Sequence, residues 1–313
     1  FGDERASHCS DHLLLSSKNN LTQNERNQLD QFINDTNYPE IARSTVIENL
    51  NFSTPDQFKV LLTSLKDSSA IVRYNSLMKF RDFPPQQRLP IALEAMKDSI
   101  KLVRIAAAQL VIGLDENTLS GINKSIYINT RGELESMLFS NADFSIGRMQ
   151  LGDYYLQNND INNAIKHYEI ALIKDSLLLP VFSNLATAYS MNNDATKASI
   201  TLDKWILLDP TNGRPHYLKG LLNFEINKPN EAVSELNKAI QLDPQDTRSM
   251  YNLATYYYQG KLDLKKAENY INSALKIAPN NPEYKYLLAF IYKDQGKIKK
   301  GQFLLNQLKA NQN

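Results

Sequence analysis

The sequence of 313 residues contains a single cysteine, Cys9. One cysteine excludes an internal disulfide and any thiolate metal cluster built by this chain alone. Covalent haem attachment needs the order Cys-x-x-Cys-His, which the sequence does not contain. We therefore predict that this chain alone binds no metal and no cofactor, and that haem enters only through a region upstream or a partner.

An excess of one charge and a long apolar run are also absent. Lys and Arg number 35 and Asp and Glu 34, for a formal net charge of +1, so no basic surplus predicts a nucleic-acid partner. No run approaches the roughly 18 apolar residues that span a bilayer. With only 11 glycines, the chain has no glycine-rich phosphate loop, nucleophile elbow or paired-histidine metal helix. We predict that it is not an enzyme.

Small residues recur at fixed distances through the second half of the chain. One set, spaced by 34, 34, 34 and 35 residues, is Gly152, Ala186, Gly220, Ala254 and Ala289. The set that follows it inside each unit is Ala164, Ala198, Ala232 and Ala267, and the prolines that end three units are Pro210, Pro244 and Pro279. Small side chains let two helices approach closely, and proline ends a helix. The pattern predicts helix pairs repeated about every 34 residues.

This stretch resembles the tetratricopeptide repeat family in several residues of each unit. The matching positions in two units are Leu151, Gly152, Tyr155, Ala164, Tyr168 and Ala171, then Leu253, Ala254, Tyr257, Ala267, Ala274 and Pro279. The resemblance implies about five helix pairs over residues 145–313. Trp205 departs from the family pattern by replacing a small residue, and Gly301 takes the second small position of the last unit.

The first half has a shorter repeat with an offset of 31. Lys66-Asp67-Ser68 with Val72-Arg73 returns as Lys97-Asp98-Ser99 with Val103-Arg104, and a weaker copy holds Asp35 and Arg43. It resembles the HEAT family, in which an aspartate lies in the turn and an arginine early in the second helix. We predict that the arginine reaches the aspartate of a neighbouring repeat. The alternative is that these are exposed charges at helix starts. The prolines predicted to separate the pairs are Pro84, Pro85 and Pro90.

The predicted fold is all-α: an α-solenoid of HEAT-like helix pairs followed by about five tetratricopeptide pairs. Residues 1–21 are predicted as an irregular lead, 22–115 as HEAT-like repeats, 116–144 as a joint and 145–313 as the tetratricopeptide array. A capping box of Thr22 and Glu25 predicts the first helix start.

In tetratricopeptide arrays the first helix of each unit lines the concave surface, and the resemblance places side chains of this chain there. The early units offer small or polar residues, whereas the later ones offer aromatics and two arginines: Arg214, Tyr217, Phe224, Arg248, Tyr251, Tyr258, Tyr286 and Phe290. Rigid aromatics dominate binding hot spots. We predict a groove for a protein or peptide segment. The alternative is that several rings pack between neighbouring helices.

The segment from Ser7 to Leu14, followed by the two kinds of repeat, resembles the tail of bacterial multihaem c-type cytochromes. That resemblance implies a haem-free docking module, periplasmic or extracellular, in which His8 or His12 contacts a haem of an upstream domain or another subunit. Otherwise the chain is expected in the cytoplasm. Since the first residue is Phe1, we expect a processed or trimmed product. The leading prediction is a non-catalytic protein-interaction scaffold, and the cytochrome module is the alternative.

Overall fold

The computed structural model describes residues 8–52, 55–260 and 262–310. Over these residues it contains 18 α-helices and two short 3₁₀ turns, with no β-strand. The prediction of an all-α fold is therefore confirmed.

The chain divides into two compact units. The first consists of residues 1–143 with 157–159, and the second of 144–156 with 160–313. The helices of the first unit are α1 (Cys9–Ser16), α2 (Gln23–Asn34), α3 (Glu40–Asn49), α4 (Pro55–Ser64), α5 (Ala70–Met78), α6 (Pro85–Ala95), α7 (Lys101–Leu110) and α8 (Gly121–Ser140).

The predicted capping box begins α2. The Thr22 hydroxyl accepts the backbone N–H of Glu25 at 3.3 Å, and the Glu25 carboxylate accepts the Thr22 N–H at 2.8 Å. The Thr22 N–H, together with Lys18, lowers the pKa of Glu25 to about 2. The backbone N–H groups of Thr22 and Glu25 thus both have hydrogen-bond partners, and this capping box fixes where the helix starts.

Two predictions about non-repeat segments differ from the structure. The irregular lead is wrong for Cys9–Ser16, which form α1; residues 1–7 lie outside the described residues. Here His8 caps the helix and Asp11 returns the bond, a second capping box. The predicted joint holds the 20-residue helix α8, and Gly132 lies within it, exposed and without a close neighbour. A solvent-facing glycine weakens a helix by only about 1 kcal/mol and does not end it.

Pro90 does not separate helix pairs, because it lies inside α6. That helix begins at Pro85, where a missing N–H has no cost. The Pro90 ring is exposed, so the carbonyl it leaves unpaired in the preceding turn can face water.

A row of arginine–carboxylate pairs connects successive helix pairs of the first unit, as the sequence predicts. Each arginine lies early in a second helix and reaches a carboxylate 24 to 29 residues further along. The pairs are Arg43–Asp67, Arg73–Asp98 and Arg104–Glu133. Arg73 also donates to the carbonyls of Asp67 and Ser68 at 2.8 and 3.0 Å. The Arg73 guanidinium therefore bonds both to the turn before its own helix and to the aspartate in the turn of the next helix pair.

The second unit is built from ten helices. They are α9 (Ser145–Gln157), α10 (Ile161–Lys174), α11 (Leu179–Met191), α12 (Ala195–Leu208), α13 (Gly213–Glu225), α14 (Pro229–Leu242), α15 (Thr247–Gln259), α16 (Leu264–Ile277), α17 (Pro282–Asp294) and α18 (Ile298–Ala310). Four consecutive pairs pack from α11 to α18, and from α10 onward the second helix of one pair packs on the first of the next. Helix α9 contacts α10 through the Tyr168 hydroxyl, which donates to Asp153. This nearest-neighbour packing is that of an α-solenoid.

The predicted small residues lie where the two helices of a pair meet. A Cβ on Gly152 would come within 2.4 Å of the Tyr168 ring, and one on Gly301 within 2.7 Å of the Ala289 carbonyl oxygen. Trp205 takes the place that alanine has in other pairs and is buried in the core. Within the described part of the chain, its indole N–H has no hydrogen-bond partner.

The turns inside the pairs carry a signal that the sequence prediction did not use. Asn159, Asn193 and Asn227, spaced by 34, have φ of 59°, 58° and 57°, and Gly296 has φ of 78° in the last pair. Asparagine and glycine enter this left-handed region most easily. The asparagine period therefore marks the same repeat as the small residues.

Candidate functional site

The eight residues predicted to bind a partner lie on the first helices of the last three pairs. Arg214, Tyr217 and Phe224 are on α13, Arg248, Tyr251 and Tyr258 on α15, and Tyr286 and Phe290 on α17. The five aromatics other than Phe290 are half-buried, whereas Phe290 is 45% exposed. We call the surface formed by these eight residues the first-helix face.

One pocket of about 490 Å³ brings three of the predicted residues together. Arg214, Tyr217 and Arg248 line it where α13 and α15 begin. Both arginines are exposed, and within the described residues neither guanidinium forms an ion pair. Burial raises the pKa of Tyr217, and the nearby Arg248 opposes this rise. The phenol therefore stays a neutral hydrogen-bond donor beside two cations, a combination suited to an acidic group.

Two aspartates also line this pocket, but their carboxylates bond to the backbone. Asp246 caps α15, and one of its oxygens accepts the N–H groups of Arg248 and Ser249, each at 3.1 Å. Asp243 accepts the N–H of Gln245 at 2.9 Å in the preceding turn. These carboxylates keep their charge but form no ion pair with Arg214 or Arg248 among the described residues, so both guanidiniums can still pair with a ligand.

Some rings of the first-helix face also pack between successive first helices. Phe224 of α13 lies 5.0 Å from the Tyr256 ring of α15, and Tyr251 stacks on Tyr284 of α17 at 5.2 Å. The alternative kept open from the sequence therefore applies to Phe224 and Tyr251. Sequence reasoning missed Tyr256 and Tyr284, since neither belongs to the row of positions projected from the repeat.

At the other end of the face, the carboxylate of Asp294 lies beside Tyr258. Burial and then the neighbouring Asp294 raise the pKa of Tyr258 above its ordinary value. Tyr286 on α17 is half-buried, and Phe290, four residues further along the same helix, is exposed. The face thus runs from a pocket with two arginines at α13 and α15 to aromatic residues and Asp294 at α17.

The early pairs use their polar side chains internally. Asp153 of α9 accepts the Tyr168 hydroxyl at 2.6 Å and the Asn184 amide at 2.8 Å. Burial, and then Asp153, raise the pKa of Tyr168 well above its ordinary value. A carboxylate held by two donors offers little to a partner, in keeping with the polar surface predicted here.

The two histidines considered for haem contact are placed differently. His12 is buried, and its ring stacks on Phe32 with centroids 4.2 Å apart. His8 is exposed at the start of α1. Among the described residues, no group of three His, Cys, Asp or Glu side chains is arranged to hold a metal. Contact with a haem of another domain stays a prediction.

Of the helices described, none combines the length and the apolar character needed to cross a bilayer.

Family and protein comparisons bear on the second half of the chain. A tetratricopeptide repeat model matches residues 147–172, 213–246 and 247–281. The chain is 26% identical to the mitochondrial import receptor subunit TOM70 of Homo sapiens over 260 residues, 77% of this chain and 40% of the receptor. FK506-binding protein 59 of Drosophila melanogaster is 29% identical over 106 residues, 32% of this chain and 23% of that protein. The chain spans less than half the length of these relatives.

Among solved structures, PilF of Pseudomonas aeruginosa is 22% identical, with a TM-score of 0.48 over 55% of this chain and 77% of that one. MamA is 21% identical, with a TM-score of 0.45 over 54% and 91%. YrrB, described as a TPR protein with an unusual peptide-binding site, is 17% identical, with a TM-score of 0.41 over 56% and 89%. Likeness of this size does not assign a ligand to the chain.

The three segments matched by the family model coincide with helix pairs α9–α10, α13–α14 and α15–α16. In each pair a small residue faces the partner helix, as the 34-residue spacing predicts. Residues 147–172, 213–246 and 247–281 therefore form tetratricopeptide repeats.

Proposed function

We propose that this chain is a non-catalytic interaction module that binds a protein or peptide segment along the first-helix face. The observation that carries the proposal is the pocket formed by Arg214, Tyr217 and Arg248, where two guanidiniums without an ion pair flank a neutral phenol. A carboxylate of the bound segment, from a side chain or a C-terminus, would pair with the arginines. Apolar side chains would then contact the aromatics toward α17.

The relatives offer limited support, since the human protein is named an import receptor and the chain covers 40% of it. No described contact bears on the alternative role as a docking module of a multihaem cytochrome, which stays a prediction, as does the compartment. The resemblance of the first unit to HEAT repeats also stays a prediction, although its row of arginine–carboxylate pairs agrees with it.

A peptide display selection on the full chain tests the proposal. We expect enriched peptides to carry an acidic residue or a required free C-terminus beside apolar residues. Fluorescence anisotropy would then show Tyr217→Ala and Arg248→Ala weakening binding by roughly tenfold or more, the size expected of an interface hot spot. The matched control is Ser234→Ala on α14, an exposed position of the same pair as α13, which should leave affinity unchanged. Peptides that bind both face variants as well as the unchanged chain would refute the proposal.

A further inference from the structure

A second surface of the array exposes large apolar side chains to water. On the second helices of the first two pairs, Ile173 and Leu207 are 83% and 82% exposed, and Ile200 is 49% exposed. Ile173 and Leu207 are 34 residues apart and therefore hold the same place in their repeats. Exposed apolar side chains that recur and cluster mark contact surfaces.

The later pairs provide an internal comparison at the same repeat positions. The place of Leu207 is taken by Gln241 in the third pair and Lys276 in the fourth. The place of Ile200 is taken by Ser234 and Asn269. In the third and fourth pairs these exposed positions therefore carry polar residues. Ile173 and Leu207 therefore differ from the third and fourth pairs, whereas the fifth pair again has an exposed apolar residue, Phe303, at the place of Ile200.

These side chains border a groove of about 690 Å³, with α10 and α12 as its walls and α11 as its floor. Phe182, Leu185 and Tyr189 of α11 form the floor, and Ile173, Ile200 and Leu207 line the walls. We call this the outer groove. Ile200 and Leu207 are seven residues apart, so they lie on one side of α12 about 10 Å from each other. That distance is two turns of a helix laid alongside.

The rim of the outer groove is basic. Lys204 lines it and forms no ion pair within the described residues. Lys197 lies over the Tyr189 ring at 5.4 Å, with its nearest carboxylate oxygen, from Asp194, at 3.6 Å. The acidic lining residue, Glu169, accepts the Tyr189 hydroxyl at 2.5 Å. The lining thus holds two lysines against one carboxylate, and among the residues described Lys204 is the lysine without an ion pair.

We propose that the outer groove binds an amphipathic helix of a partner protein, with apolar residues facing α11 and acidic residues facing Lys197 and Lys204. Acidic flanks complement the lysines, and a recessed groove fits the cylinder of a helix better than a flat membrane surface. The lining of the outer groove holds two lysines and one carboxylate, so a twofold contact between two copies of this chain would bring four lysines and two carboxylates into one interface, a like-charge excess that disfavours it. The outer groove shares no residue with the first-helix face, so this proposal does not rest on the proposed function.

The test uses a phage library of 18-residue, helix-favouring peptides with randomised apolar positions and randomised flanks, selected on the full chain. Enriched peptides should have apolar residues at i, i+3 or i+4 and i+7, with Asp or Glu beside them. Leu207→Gln should weaken them by roughly tenfold or more, because a buried leucine contact is lost. Lys204→Glu should shift the preference toward basic flanks. Gln241→Leu, the reverse change in the next pair, should have no effect, and the polar residue at that place indicates that Leu207→Gln folds.

Four outcomes would overturn the outer groove proposal. They are the absence of any enriched helix, binding unchanged by Leu207→Gln, binding to phosphatidylserine vesicles that Leu207→Gln abolishes, and a dimer in light scattering that this variant dissociates. Peptides that depend on Tyr217 instead of Leu207 would also overturn it while supporting the first-helix face, so the two proposals fail separately.

Discussion

The row of arginine–carboxylate pairs in the first unit allows a graded stability prediction from Arg→Met substitutions. Methionine keeps a long side chain but removes the guanidinium, so each change leaves a carboxylate without its cation. Side-chain exposure of arginine and carboxylate is 3% and 7% for Arg43–Asp67, 12% and 13% for Arg73–Asp98, and 23% and 28% for Arg104–Glu133. Because an unpaired charge costs more the less water reaches it, the loss of stability should fall in that order.

The magnitudes follow from this burial. Arg43→Met should cost on the order of 3–5 kcal/mol, the size found when one partner of a buried pair is removed. Arg43 also donates to the carbonyls of Ile33 and Tyr38 at 3.1 and 3.3 Å, which would lose their partner too. Arg104→Met should cost about 1 kcal/mol, near the range of exposed pairs. Arg73→Met should fall between the two.

The pH dependence has a defined sign. Although burial alone would raise the pKa of Asp67, the Arg43 guanidinium holds it below the ordinary value of 3.8. A depressed pKa stabilises the fold above the unfolded value, and this stability is lost as pH falls through the folded value. In Arg43→Met the burial of Asp67 is opposed only by the Ser69 N–H and by Arg73, so the pKa of Asp67 should be higher than in the unchanged protein. The stability difference between the two proteins should therefore shrink as pH falls from 7 toward 4.

Urea unfolding followed by far-ultraviolet circular dichroism measures these differences, and hydrogen exchange read by mass spectrometry localises them to α3, α5 and α7. Lys97→Met is the control, since its pair with Glu94 is exposed and should contribute less than about 0.5 kcal/mol. Arg43→Met combined with Asp67→Leu should recover part of the loss, because no buried charge then remains, while the Ile33 and Tyr38 carbonyls and the Ser69 N–H still lack their partners. Equal losses at all three arginines, or a double variant no more stable than Arg43→Met alone, would show that the pairs do not hold the helices as described.

Two further predictions concern the second unit, where the sole tryptophan, Trp205, reports unfolding by its fluorescence. Gly152→Ala should destabilise it by about 1–3 kcal/mol through overpacking against the Tyr168 ring, and adding Tyr168→Leu, the residue type of three other pairs, should remove that penalty; equal effects in both backgrounds would contradict this. Asn193→Ala should cost about 1 kcal/mol because φ is 58°, whereas Asn193→Gly should not, and a higher urea midpoint for alanine than for glycine would refute the turn argument.

The sequence predicts the repeats well because their spacing is a direct consequence of helix packing. Gly152 and Ala186 are small for the same reason, since a neighbouring helix leaves no room at that place. The arginine contacts are predictable for a related reason: an offset of 31 returns Arg73 and Arg104 to equivalent places in successive pairs. Such features depend on a local pattern that recurs, and a single sequence contains it in full.

Features without a repeat were harder to predict. α8 was missed because Gly121 and Gly132 indicate a break when read alone, whereas burial of Leu134 and Leu138 on one side decides for a helix. The stacking of Tyr251 on a ring of the next helix depends on distances between helices, and spacing along the chain does not contain these. The sequence therefore predicted the residues of the first-helix face, but not the ring contacts that Phe224 and Tyr251 make with the next helix.

The exposed apolar residues of the outer groove are present in the sequence, but helical spacing alone does not distinguish them from core residues. Comparing Leu207 with Gln241 at the same place in the next pair separates the two interpretations, since a core position would stay apolar in every pair. The comparison also separates the pairs by the character of their surfaces. The second helices of the first two pairs expose Ile173 and Leu207, whereas the third and fourth pairs have Gln241 and Lys276 at the place of Leu207 and carry aromatics on their first helices. Leu207 and Tyr217 lie on different helices, and the outer groove and the pocket of Tyr217 share no lining residue. A segment bound at one place need not displace a segment bound at the other. Substitutions at the two places should therefore have additive effects on the affinity of a partner that contacts both.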